Sequence, residues 1–151
     1  MATTSLMVFL DSSALFAGIW LVEGGARMIF KLGEAGVIQL VVTSLVLTEV
    51  DNAVRRKAPG TLGALSLFLH KSNIQVIPDA SKAYIEKISS IVHYSGDALI
   101  IASAWERQVD YFVTLDRKHF IDNHLLVNTV PFPIGTPGDF LYWYKVKIGI
   151  T

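Results

Sequence analysis

The 151-residue chain sets 13 Lys and Arg against 13 Asp and Glu, has no cysteine, and is 52% hydrophobic and 17% charged. This is enough apolar sequence for one core and too much for disorder, and the missing thiols exclude cysteine-ligated zinc, thiol catalysis and a disulfide framework. A net charge of zero excludes coating of nucleic acid by bulk basicity and leaves room only for a local site. Lack of cysteine fits a cytoplasmic location, which is the expectation.

The apolar stretch from Leu6 to Val22 has no Lys or Arg before it and holds Asp11 in its interior. An Asp at the centre of a membrane helix costs about 2.5–3.5 kcal/mol, so the stretch reads as a buried strand (Leu6–Leu10) running into a helix that ends near Trp20, with Ser12 or Ser13 as its cap. Ala26 to Ala35 reads as a second helix stopped by Gly36, and Val37–Val42 as a second buried strand. Thr43 or Ser44 then caps a helix from Leu45 to about Lys57, whose basic end suits the helix dipole before Pro59-Gly60 stops it.

Leu62, Leu65 and Leu69 mark a further short helix, and Ile74–Ile77 a third strand. Pro78-Asp79 is expected to open a helix with Ala83, Ile85, Ile88 and Ile91 turned inward. Asp97 to Gln108 is strongly helical, Tyr111–Thr114 is a fourth strand, and Leu125–Val127 is expected to be a fifth. Thr136-Pro-Gly-Asp139 has the pattern of a capped helix start, with the last helix covering Phe140 to Tyr144. Strands alternating with helices imply an α/β fold: a mostly parallel sheet of about five strands with helices on both faces, and residues 1–151 as a single domain.

Parallel α/β sheets place ligands beyond the carboxyl ends of their strands. Asp11 directly follows strand one, and Asp116 follows strand four after one residue. Glu49 lies in the early turns of the helix after strand two, and Asp97 in the first turn of the helix before strand four. Four acids on one rim repel one another unless a cation lies between them, and oxygen donors of this kind suit Mg²⁺ or Mn²⁺. Each acid also has an ordinary structural explanation: Asp11 as a strand end, Asp97 as a helix-start charge, Glu49 as a partner of Arg56, Asp116 as a turn residue. It is their common placement that points to a site. Asp51, Asp79, Asp110, Asp122 and Asp139 lack it or are better explained as caps.

Phe9-Leu-Asp11-Ser-Ser-Ala-Leu15, Ser44 to Glu49, Gly96-Asp97-Ala-Leu-Ile-Ile-Ala102, Phe112-Val-Thr114-Leu-Asp116-Arg-Lys-His-Phe120 and the ending Thr136-Pro-Gly-Asp-Phe-Leu141 together resemble the PIN-domain nucleases, most closely the VapC-type toxin ribonucleases. The resemblance spans nearly the whole chain. It implies a PIN-like domain and a Mg²⁺- or Mn²⁺-dependent endoribonuclease acting on single-stranded or loop RNA and leaving a 5′-phosphate. Asp11, Glu49, Asp97 and Asp116 would be both catalytic acids and metal ligands, supported by the hydroxyls of Ser12 and Thr114. Relatives of this kind are homodimers, neutralised by an antitoxin protein that pushes a basic side chain into the acidic site. Met28, Ile29, Leu32 and the aromatic tail are the candidate contact surfaces.

This chain departs from such relatives in being neutral, so its RNA contacts must come from few residues. Arg55, Arg56, Arg117 and Lys118 are the candidates, each equally well explained as a solvated helix-end or turn charge. His70 and His93 fall near predicted helix ends, where a cation is favourable. His119 and His124 lie near Asp122 in the loop after Asp116, where a His–Asp site has no fixed geometry. Trp20, Trp105 and Trp143 read as core or dimer surface. Two other readings compete: a non-catalytic PIN-fold module binding RNA or protein, and an α/β phosphatase. A complete quartet of acids counts against the first. The lack of a second acid two residues beyond Asp11 counts against the second.

Overall fold

The computed structural model describes residues 5–21 and 23–150. In chain order the elements are β1 (Leu6–Leu10), α1 (Ser12–Trp20), α2 (Gly25–Glu34), β2 (Ile38–Val42), α3 (Ser44–Lys57), α4 (Leu62–Lys71), β3 (Gln75–Val76), α5 (Lys82–Ser89), α6 (Ser95–Arg107), β4 (Tyr111–Val113), α7 (His124–Thr129), β5 (Ile134–Gly135) and α8 (Pro137–Lys147). The five strands form one sheet in the order β3-β2-β1-β4-β5, and every pair is parallel. The α/β parallel-sheet reading of the sequence holds.

This order contains a reversal of direction. From β1 the chain builds outward through β2 to β3, then returns to place β4 on the other side of β1. A crevice opens at such a point, because the connections leaving the two neighbouring strands turn away from each other. The register pairs Leu10 with Val113, and the Asp11 amide donates to the Val113 carbonyl at 3.0 Å, so Asp11 is fixed at the mouth of this crevice.

The sheet is held by apolar side chains that alternate along each strand. Phe9 and Phe112 stack with ring centroids 5.1 Å apart, and Phe112 also meets Phe120 at 5.2 Å. Val8, Phe9, Leu40, Val41, Val42, Phe112 and Val113 are all fully buried, which is why these segments read as continuous apolar runs. Gly36 ends α2 at φ +76°, with its own amide bonded to Gly33 and the Val37 amide to Leu32, the paired closure that a glycine in this region allows. Thr43 caps α3, and Thr136 with Asp139 forms the reciprocal box that opens α8.

The structure corrects several boundaries. Leu125–Val127 is helical, within α7, because the Asn123 side chain caps the Leu126 amide at 3.1 Å and buries Leu126 alone. The fifth strand is Ile134–Gly135 instead, a two-residue pairing with β4. Pro78-Asp79 does not open α5, which starts at Lys82 after Ser81, and Ala83 faces solvent while Ile88 is buried. Helix α8 extends from Pro137 to Lys147, well beyond Phe140–Tyr144. At α1 the residue in the capping position is Asp11, without a side-chain cap bond, and Ser12 and Ser13 are the first helical residues. No single helix among the described residues is long and apolar enough to cross a membrane.

Candidate active site

Asp11 is 4% exposed, and its carboxylate is held by hydroxyls from two elements. Thr114 Oγ1 donates to Asp11 Oδ2 at 2.8 Å, and Ser13 Oγ donates to the same oxygen at 3.2 Å. Each hydroxyl also accepts: Ser13 Oγ from the Leu115 amide at 2.9 Å, Thr114 Oγ1 from the Asp116 amide at 3.0 Å. One proton given and one received satisfies both hydroxyls, so the ends of β1 and β4 are tied through two side chains. Thr114 was legible in the sequence as a supporting residue; Ser13 was not. Ser12 instead sits beside Glu49, whose carboxylate its hydroxyl favours.

Burial pushes the Asp11 carboxyl up to about 6, against the lowering effect of the Thr114 hydroxyl and the Ser12 amide, and the charges of Glu49 and Asp97 push the same way. Glu49, from α3, is also raised by burial, with Ser12 opposing and Asp97 adding to the rise. Asp97, in the first turn of α6, is raised by burial and by the charge of Asp116, while His119 lowers it. Glu49 and Asp97 are thus felt at Asp11, Asp97 at Glu49 and Asp116 at Asp97, but Asp11 and Glu49 lie outside the set whose ligand atoms come within 4.8 Å of one another. Glu49 makes no pair with Arg56. Arg55 pairs with Asp51 at 2.9 Å, and Arg56 Nε donates to the Asn52 carbonyl at 3.4 Å.

That closest set includes a residue outside the quartet. One ligand atom from each of Asp97, Asp116 and His119 lies within 4.8 Å of the others. The chain after β4 makes a single wide turn, Arg117–Ile121, that returns His119 to the rim. The His119 amide donates to Asp116 Oδ1 at 3.0 Å, and its Nδ1 lies 2.8 Å from Asp116 Oδ2 and 3.9 Å from Asp97 Oδ2. The three-residue spacing of Asp116 and His119 was the available signal, but it is informative only once the turn is known to be helical.

On the other side of Asp11 a groove of about 960 Å³ runs between α1 and α3. It is lined by Ser12, Ser13 and Glu49 at one end, by Arg55, Arg56 and Lys57 along one wall, and by Phe16 and Trp20 on the other. Trp20 is 47% exposed and stacks on Phe16 with centroids 5.7 Å apart, so it is not a core residue. Arg117 and Lys118 lie apart from this groove on the turn after Asp116, both exposed, with Arg117 3.9 Å from Asp122. Ile29 is fully buried and does not belong to a contact surface with Met28.

No protein-family profile and no curated protein matches this sequence. Solved structures do match. A chain of VapBC2 from Rickettsia felis, crystallised bound to a DNA fragment from its promoter, superposes with a TM-score of 0.65 over 86% of this chain and 97% of that one, at 17% identity. PAE2754 from Pyrobaculum aerophilum superposes with a TM-score of 0.59 over 92% of this chain and 97% of that one, at 18% identity. At such identities the likeness is one of fold, and the fold is the PIN-type, VapC-like architecture that the sequence resembles.

Proposed function

We propose that the protein is a metal-dependent endoribonuclease that hydrolyses phosphodiester bonds in single-stranded or loop RNA, and that Asp11, Glu49, Asp97 and Asp116 are its catalytic acids and its Mg²⁺ or Mn²⁺ ligands. The observation that carries this reading is the coupling of these acids at the β1–β4 crevice, where burial and mutual repulsion raise Asp11, Glu49 and Asp97 together. Carboxylates destabilised as anions in this way are a donor set that fits a hard divalent cation, which relieves the repulsion that a proton would otherwise relieve. When bound, such an ion lowers the pKa of a water and offsets phosphate charge.

The remaining chemistry belongs to the chain. Asp11, locked by Ser13 and Thr114, gives the site one immobile wall, so the geometry is set before RNA arrives. Glu49 from α3 and Asp97 from α6, two helices that meet near Leu45 and Gly96, complete the cradle. Arg55, Arg56 and Lys57 lead into it along the groove and are placed to receive the phosphates that flank the cut, with Arg117 and Lys118 as weaker contacts. Phe16 and Trp20 offer apolar area to an unpaired base.

A toxin role, with an antitoxin partner inserting a basic side chain at the acids, and a homodimeric, cytoplasmic state are part of this proposal. Support for them is the fold shared with VapBC2 and the exposed Met28 and Tyr142. The test is cleavage of a labelled single-stranded RNA by purified protein with Mg²⁺ or Mn²⁺. Cleavage lost in EDTA and restored by added ion is expected. Undiminished cleavage in excess EDTA sinks the metal-dependent reading, and RNA binding without cleavage favours a non-catalytic module.

A further inference from the structure

We propose that His119 supplies its Nδ1 as a ligand beside Asp97 and Asp116, making the centre a mixed nitrogen–oxygen site that takes Mn²⁺ in preference to Mg²⁺. This rests on the metal-dependent reading above and narrows the ion. The separations carry it. Adjacent ligands of an octahedral ion with bonds of about 2.1 Å stand about 3 Å apart and opposite ones about 4.2 Å apart. Nδ1 lies 2.8 Å from Asp116 Oδ2, slightly under the adjacent spacing, and 3.9 Å from Asp97 Oδ2, slightly under the opposite one.

The imidazole is also held for the task. The backbone of His119 is fixed on both sides, its amide to Asp116 Oδ1 and its carbonyl accepting from Asn123 Nδ2 at 3.4 Å. Tyr94 packs against the ring at 79°, with centroids 4.8 Å apart. Nε2 is buried and has no hydrogen-bond partner, so the only polar edge the ring offers to any ligand is the Nδ1 edge facing the two acids. Ligation through Nδ1 uses that nitrogen's lone pair, so the ion takes the place of the contact between Nδ1 and Asp116 Oδ2. Mg²⁺ takes oxygen donors and holds its waters tightly, whereas imidazole nitrogen suits first-row transition ions, of which Mn²⁺ is the one that also suits carboxylate and water.

A His119 that only aims Asp116 by a hydrogen bond would serve both ions alike, and this difference is the test. Metal-free protein is titrated with MnCl₂ and, separately, with MgCl₂, and the Mn²⁺-loaded protein is examined by electron spin-echo envelope modulation for a coordinated imidazole nitrogen. The parent is expected to show the nitrogen coupling. His119→Gln is expected to lose it, with Mn²⁺ affinity falling at least about tenfold and Mg²⁺ affinity less than about threefold. Mn²⁺ bound by the parent without nitrogen coupling, a coupling that survives in His119→Gln, or equal losses for both ions would overturn the proposal while leaving the metal-dependent reading intact. No binding of Mn²⁺ at all would overturn both. The parent spectrum decides the first point even if the variant is unstable.

Discussion

Asp11 and Asp97 bring the same functional group to the same sheet edge, yet their surroundings differ. Asp11 is 4% exposed and receives two neutral hydroxyls, whereas Asp97 leaves 23% of its side chain exposed and faces an imidazole at 3.9 Å. Burial is the largest influence on both, and it is opposed by hydrogen bonds at the first and chiefly by His119 at the second. One half of the rim is an anchor sealed between β1 and β4. The other is the open half, where solvent and ligands arrive. The comparison separates chemistry, which should need both halves, from folding energetics, which should feel the sealed half more.

The largest effect is on turnover. Asp11→Asn and Asp97→Asn keep shape but each remove a negative charge that the ion needs, so the rate of metal-dependent RNA cleavage should fall at least about a hundredfold in either, no less than losses of groups that merely orient ligands. Near-normal cleavage in both variants would mean that the acids at the crevice are not the reacting site. Loss in only one would locate the chemistry in one half of the rim.

The next effect distinguishes the halves by pH. A carboxyl held at about 6 when folded, above its ordinary 3.8, binds its proton more tightly in the native state. Its contribution to stability is therefore present at low pH and is lost as pH rises through about 6, the reverse of a salt-bridged acid. For Asp11 this amounts to about 2 kcal/mol between pH 4 and pH 7.5 in metal-free protein. Asp11→Asn should remove that slope and match or exceed the parent near pH 7.5. Asp97→Asn should change it in the same direction by less. Denaturant melts across this range in EDTA give the difference directly, and parallel curves for parent and Asp11→Asn would show that Asp11 is a structural tie. Mg²⁺ or Mn²⁺ at about a hundred times its Kd should restore about 2.7 kcal/mol to the parent at neutral pH and less to either variant.

The sealed half was the more legible in the sequence. Asp11 ends an apolar run at the carboxyl edge of a parallel sheet, so its place follows from topology, whereas Thr114 as a supporting hydroxyl was implied by the family resemblance. Ser13 was not legible in the same way, because which of two adjacent serines faces the strand end depends on where the helix begins, and the cap falls on Asp11. His119 was hidden by the wide turn at Arg117–Ile121, which has no sequence pattern as clear as a helix or hairpin. The same weakness misplaced the fifth strand. Leu125–Val127 has strand composition, but an asparagine cap one residue before α7 decided its conformation, and β5 has only two residues in which to show a period.

A smaller effect probes the tie between the halves. Thr114 is fully buried, and Thr114→Val keeps its volume while removing the donor to Asp11 and the acceptor for the Asp116 amide. One buried carboxylate and one amide then lose a partner, so the variant should be less stable than the parent by about 1–3 kcal/mol at pH 7.5. Ser13→Ala should cost less, since its bond to Asp11 is the longer at 3.2 Å and Thr114 remains. Equal costs from the two substitutions would mean that the hydroxyls act as one unit.

The smallest effect compares the two sets of cations. Arg56 and Lys57 stand in the groove that opens on the acids, while Arg117 is exposed on the far turn and shares its charge with Asp122. If the groove receives the flanking phosphates, Arg56→Ala and Lys57→Ala should each weaken binding of single-stranded RNA severalfold and lower the slope of log affinity against log salt by about 0.7, the value for one phosphate contact on a single strand. Arg117→Ala should change the slope much less, because its removal also frees Asp122 and an exposed pair of this kind contributes little. Arg55 should fall between, since contact with RNA must displace its bond to Asp51 at 2.9 Å. Binding is read in EDTA with uncleaved RNA, so that losses of affinity are not confused with losses of turnover. A slope that drops for Arg117→Ala and not for Arg56→Ala would route the RNA across the open half of the rim, past His119, and leave the groove between α1 and α3 to a protein partner.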